Sequence, residues 1–276
     1  MAKRTKARYC LDTSALRYLC IYGDQVRLYV EGQLAGGSTE LSQFVMMEYY
    51  RGVIIHLIDI YFVIKNAPTP QSAFDYLSNE FKVGKLRLIV QGALSFLCGF
   101  EGSNSKAATL ARLGNYIFEL GQKPSHPECR NRIGCTLGSL AFPSGVFRED
   151  AMLVFREKFN SILKSPACGQ CGFRNEQTRR LTRTGVDLYS VPQRTKFSTY
   201  SGYVKQAVSL EKSTTTKRKS PSCWWCEKLG DSIIAIECHR RSVLVTSDRS
   251  FEPLCTILGK SILLLPSPKA MLGIVP

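Results

Sequence analysis

The chain has no long apolar run. Its most hydrophobic stretch, VIIHLIDIYFVI from Val53 to Ile64, spans twelve residues and includes His56 and Asp59. A membrane-crossing helix needs about 20 predominantly apolar residues, so no segment reads as a span. The basic start MAKRTKARYC is not followed by an apolar signal core and cleavage site, and a cytoplasmic location is the expectation. Internal repeats are missing too. Acidic charge is scarce: 22 Asp plus Glu stand against 37 Lys plus Arg, for a formal net charge of +15. That imbalance creates a field favouring polyanions, most often nucleic acid, otherwise an acidic surface or partner.

What is present fits a globular protein. The 276 residues are 44% hydrophobic and 21% charged, enough for one large domain or two smaller ones around a buried core. Eleven cysteines in a cytosolic chain point to metal ligands and core thiols more than to a disulfide framework.

Element signals appear at both ends. RYCLD (Arg8 to Asp12) reads as a strand, followed by a helix opening at TSALRYLC, with Thr13 or Ser14 able to cap it. GQLAGGST (Gly32 to Thr39) reads as a loop, and the helical pattern that follows runs from Glu40 until APTP (Ala67 to Pro70) breaks it. The middle is mostly helical by pattern, with a Gly- and Pro-containing loop from Gly121 to Gly145 and an amphipathic helix from Arg148 to Lys164. Near the C-terminus, GDSIIAIECHR (Gly230 to Arg240) reads as a helix with Asp231 at its start. SVLVTS and SILLLPS read as strands, with a short helix between them. Strand–helix–strand order at both ends predicts an α/β fold with a parallel sheet flanked by helices.

Four carboxylates fall at element ends or on a helix. Asp12 follows a strand, Asp231 opens the expected helix, Asp248 follows the strand in VLVTSDRSF, and Glu48 lies on the long helix. In an open parallel sheet, ligands bind beyond the carboxyl ends of the strands. Gathered there, like charges raise one another's pKa. A hard divalent cation such as Mg2+ or Mn2+ reverses that penalty and leaves positions for phosphate. Taken singly, each acid also suits a cap, a turn or a solvated helix face.

The ordered set resembles the PIN domain, a ribonuclease fold found in many bacterial toxins of toxin–antitoxin pairs. YCLDTSAL resembles the family's first strand, with Asp12 as the first acid and the hydroxyls of Thr13 and Ser14 after it. FVMMEYYRG resembles the second motif with Glu48, LGDSIIAIE the third with Asp231, and VLVTSDRSF the fourth with Asp248. Glu40 competes with Glu48 as the second acid. Glu48 is preferred because its helical context and the following Arg51–Gly52 match, whereas Glu40 better suits a helix start. The resemblance covers roughly residues 8 to 62 and 228 to 266. Between Glu48 and Asp231 lie 182 residues, which implies a large insertion. The implied layout is a PIN-like core from residues 1–68 and 228–276, a helical insertion at 69–165 and a basic, zinc-binding insertion at 166–227.

The resemblance implies a metal-dependent endoribonuclease, with Asp12, Glu48, Asp231 and Asp248 holding Mg2+ or Mn2+. Thr13, Ser14, Thr246 and Ser247 would support the acids or the phosphate. An antitoxin or other protein partner is the family's analogy. The alternatives are a catalytically silent nucleic-acid-binding or scaffold protein and a DNA-directed nuclease, since phosphates dominate both footprints.

A second metal site of another kind is suggested by CGQC (Cys168, Cys171) and CWWC (Cys223, Cys226). Four thiolates suit tetrahedral Zn2+, each pair forming a chelating turn. The 51 residues between the pairs exceed the about 15–20 of familiar four-cysteine modules; a redox pair or unconnected thiols are the other readings. Cys129, Cys135 and His126 are weaker ligand candidates. From Pro166 to Ser222 the chain holds eleven Lys or Arg and three Asp or Glu, interleaved with Phe173, Tyr189, Phe197, Tyr200 and Tyr203. Such mixtures track phosphates and stack on unpaired bases, or form a minor core with a solvated cationic face. Arg179, Arg180, Arg183, Lys217, Arg218 and Lys219 are the candidate RNA contacts.

Overall fold

A computed structural model of the chain describes residues 6–80, 105–125, 128–130, 135–164 and 224–273. Strand β1 (Arg8–Leu11) runs through Asp12 into helix α1 (Thr13–Cys20). The Asp12 carboxylate caps that helix by accepting from the Ala15 amide at 2.7 Å, satisfying one of the unpaired N–H groups of the first turn. Helix α2 (Gly23–Gln33) then returns the chain to strand β2 (Ser38–Ser42), which pairs parallel to β1 with Leu11 opposite Leu41.

Ser42 ends β2 and begins helix α3 (Gln43–Tyr49), its hydroxyl accepting from the Val45 amide at 3.1 Å. A π-helical turn (Tyr50–Ile54) joins α3 to α4 (Ile55–Asn66) without a break. Helices α5 (Pro70–Glu80) and α6 (Lys106–Gln122), strand β3 (Glu128–Arg130) and helix α7 (Glu149–Lys164) follow. Helix α8 (Trp224–Glu237) leads to strand β4 (Val243–Thr246), helix α9 (Phe251–Ile257), strand β5 (Ile262–Leu264) and helix α10 (Pro268–Met271).

Among the described residues the strands form one five-stranded sheet, β3-β2-β1-β4-β5, with every pairing parallel. An α/β fold with a helix-flanked parallel sheet is therefore what the chain adopts. Chain connections run outward from β1 to β2 on one side and from β4 to β5 on the other. The direction reverses between β1 and β4, which opens a crevice at their carboxyl ends.

Leu11, Leu41, Leu244 and Val245 bury the centre of the sheet, and Phe44, Val45, Val53 and Ile54 come from the helix after β2. The same hydrophobic cluster takes in Leu113, Ile117 and Leu120 of α6 and Phe155 and Phe159 of α7. The Tyr49 hydroxyl donates to the Leu120 carbonyl at 3.0 Å, Tyr50 stacks on Phe142, and Arg156 pairs with Asp59 at 2.7 Å. These contacts hold the α3–α4 helix from both sides. No helix among the described residues is long and apolar enough to cross a membrane.

Three expectations are corrected. The stretch from Ser38 to Ser42 is strand β2 rather than loop and helix start, because its backbone groups pair with β1 and β3. Glu40 therefore stands mid-strand. It is buried, accepts from the Ser242 hydroxyl at 2.7 Å and lies 3.7 Å from Arg8. Within the expected 121–145 loop, residues 128–130 form β3 against β2. Asp231 lies inside α8 rather than at its start. The helix continues through Gly230 despite glycine's low helix propensity, and the missing side chain lets it pack closely, since a Cβ there would meet the Phe44 ring at 3.1 Å.

Candidate active site

A cavity of about 480 Å3 opens at the β1–β4 crevice. Its wall includes Asp12, Thr13, Ser14, Glu48, Asp231 and Asp248, so the four candidate acids, drawn from four separate elements, share one space. They form a gradient of exposure. Asp12 is 4% exposed at the floor, Glu48 and Asp231 are half-buried, and Asp248 is exposed at the mouth.

The floor is a hydroxyl-braced carboxylate. Thr246, at the end of β4, donates to Asp12 Oδ2 at 2.6 Å, and its hydroxyl oxygen accepts from the Asp248 amide at 2.9 Å. The Ser14 hydroxyl donates to Asp12 Oδ1 at 2.8 Å and accepts from the Ser247 amide at 2.8 Å. The Asp12 amide completes the link, donating to the Val245 carbonyl at 3.0 Å. Two hydroxyls thus lock the end of β1 to the turn after β4. Ser247 contributes through its backbone, and Thr246 lies fully buried beneath the acid.

The upper wall is braced likewise. Thr13 donates to Glu48. The Ser250 amide donates to Asp248 Oδ1 at 2.8 Å, and its hydroxyl donates to Asp231 Oδ2 at 3.4 Å. Burial pushes the Asp12 carboxyl up to about 6, against the hydrogen bonds from Ala15, Thr246 and Ser14, and the Asp231 charge raises it further. Burial likewise raises Glu48; Thr13 and Arg17 oppose the shift, while Asp231 and Asp12 add to it. Neighbouring negative charge thus makes both Asp12 and Glu48 harder to ionise.

The donor set is all carboxylate and hydroxyl oxygen, which suits a hard divalent cation by chemistry. Among the described residues, no group of three or more His, Cys, Asp or Glu side chains is arranged to hold a metal ion. Glu40 is not part of the cavity, being held on β2 by Ser242.

Arg17, Arg51 and His56 also line the cavity. Arg51 was visible only as the residue pair after a motif, and Arg17 and His56 carried no assigned role. A signal existed in helical spacing: Arg17 follows Thr13 by four residues, and His56 follows Gly52 by four. Cys168, Cys171, Cys223, His126, Arg179, Arg180, Arg183, Lys217, Arg218 and Lys219 lie outside the described residues. Cys226 falls in the first turn of α8, Cys129 on β3, and Cys135 is buried. Compared with protein-family models, curated proteins and solved structures, the chain matches none.

Proposed function

We propose that the chain is a metal-dependent endoribonuclease of PIN-like type, hydrolysing phosphodiester bonds at this cavity. The observation that carries the proposal is the convergence of Asp12, Glu48, Asp231 and Asp248 from four elements on one cavity at the point where the sheet's connections reverse. A strongly basic chain around an acidic cavity matches a polyanionic substrate and a cation-dependent reaction. Asp12, Glu48, Asp231 and Asp248 would hold Mg2+ or Mn2+; when bound, such an ion polarises the phosphate and eases deprotonation of water. The protein's own part is to hold the acids. Thr246 and Ser14 fix Asp12, Thr13 orients Glu48, and Ser250 orients Asp231 and Asp248.

Labelled RNA and DNA incubated with Mg2+ or Mn2+ test this. The expectation is RNA cleavage by the wild type, lowered at least about 100-fold in Asp12→Asn and in Asp248→Asn. Equal rates in wild type and variants would refute the site. Preferential DNA cleavage would assign a DNA-directed nuclease. A second reading is a nucleic-acid-binding protein without cleavage, for which the excess of Lys and Arg is sufficient. Binding without cleavage of any substrate would select it.

A further inference from the structure

The carboxylates account for part of the cavity's charge, and Arg17 supplies an opposite one. Arg17 and Thr13 occupy the same face of α1 and line the same cavity. The guanidinium lies against the backbone of Gly52, where an added Cβ would approach Nη2 to 2.5 Å. Only a residue without a side chain leaves it that seat. The Arg17 Nε is buried and has no hydrogen-bond partner among the described residues. The Arg17 side chain as a whole is half-buried on the cavity wall, so a ligand that enters the cavity can supply acceptors to its guanidinium.

The surroundings narrow the ligand. Arg51, next to Gly52 in the chain, lines the same cavity as Arg17, so the acceptor would enter a space that holds two guanidinium groups; burial lowers the His56 pKa and favours its neutral form. A guanidinium presents parallel N–H groups matched to two oxygens of a phosphate, which an ammonium cannot reproduce.

We propose that Arg17, seated against Gly52, binds the oxygens of a backbone phosphodiester and orients it toward the four carboxylates. This rests on the nucleic-acid reading of the same cavity and assigns its phosphate subsite. Gly52 is then the residue that admits the guanidinium. The competing role is structural, with Arg17 serving only as a counter-charge to Glu48.

The probe is uridylyl-uridine, a dinucleotide with a single phosphodiester. Its binding to the full chain is followed by calorimetry and by the 15N shift of the Arg17 Nε–H group, in EDTA and in Ca2+. Wild type should bind saturably in at least one condition with a shift of that group. Affinity should fall about tenfold or more in Arg17→Ala and in Gly52→Ala, with Arg17→Lys between them and wild type. Mn2+ affinity should not weaken in Arg17→Ala, because a cation has been removed. Gly52→Ala displaces the guanidinium without deleting its charge, so it serves if Arg17→Ala does not fold. Unchanged dinucleotide affinity in the folded variants, or no wild-type binding in either condition, would overturn the proposal. Arg17-dependent binding without cleavage sinks the endoribonuclease reading and leaves the subsite; cleavage with Arg17-independent binding does the reverse.

Discussion

Asp12 combines a helix cap, a brace between strand ends and a charged wall of the cavity, and its burial sets a pH dependence. In the folded chain it keeps its proton up to about 6, whereas the ordinary value is 3.8. Between those values the folded state holds more protons than the unfolded state. Its contribution to stability is present below the lower value and is lost as pH rises through the upper one. The total is about 3 kcal/mol, from roughly two pK units at about 1.4 kcal/mol each. Asp12→Asn cannot ionise, so its stability relative to wild type should improve by about that amount between about pH 4 and pH 7.5. Denaturant unfolding of both proteins at the two pH values, with EDTA present, measures it; a constant difference would refute the assignment. Asp12 and Asp248 were legible in the sequence because short apolar strands stop at them. Arg17 was legible only through its four-residue spacing from Thr13, and only the fold shows that the helix passes Gly52.

At the scale of elements, close packing places the third acid. Helix α8 presses on α3 where Gly230 meets Phe44, and Glu48 Oε1 lies 3.5 Å from the position a Cβ would take. Phe44 is 1% exposed and packed within the core, so the ring would have to shift against its neighbours. In Gly230→Ala, overpacking of about 1–3 kcal/mol should exceed the about 1 kcal/mol that alanine returns in helix propensity. The expected outcome is a net loss of about 1 kcal/mol in urea unfolding, with a rate decrease as Asp231 and Glu48 are pushed apart; a more stable variant would contradict it. This packing also explains the misplaced helix start: in sequence, Gly-Asp looks like a cap, and nothing local reveals that the glycine faces a phenyl ring. Strand β2 escaped for a related reason. STELS is short and polar, and its strand state depends on partners β1 and β3, whereas β1 and β4 declare themselves by apolar runs. The π turn between α3 and α4 likewise lies within residues that read as one helix. Such turns recur at functional sites, and this one carries Arg51 and Gly52 past the cavity.

For the whole molecule, charge and the second metal set the expectations. Cys226 lies in the first turn of the helix that carries Asp231. A zinc ion held by Cys168, Cys171, Cys223 and Cys226 would therefore tie the basic segment to that helix. Purified protein should contain roughly one zinc per chain, lost in Cys168→Ser with Cys223→Ser and accompanied by a lower melting temperature. Elemental analysis and thermal unfolding decide it; zinc that is absent, or indifferent to the double substitution, ends the idea. The broad fold class was legible because hydrophobic periodicity marks both ends of the chain. The packing of α6 and α7 into the same core was not, since helical patterns do not say which neighbour they bury against.

The brace at the cavity floor has a consequence in time. Ser14 and Asp12 meet Thr246 and Ser247 across more than 230 residues of chain, and β1 takes its place between β2 and β4. A chain emerging from the ribosome presents Asp12 and Glu48 first, and the half of the cavity with Asp231 and Asp248 follows only after a further 182 residues. The site is therefore assembled only after both halves have been made, and a product interrupted between them carries no complete cavity.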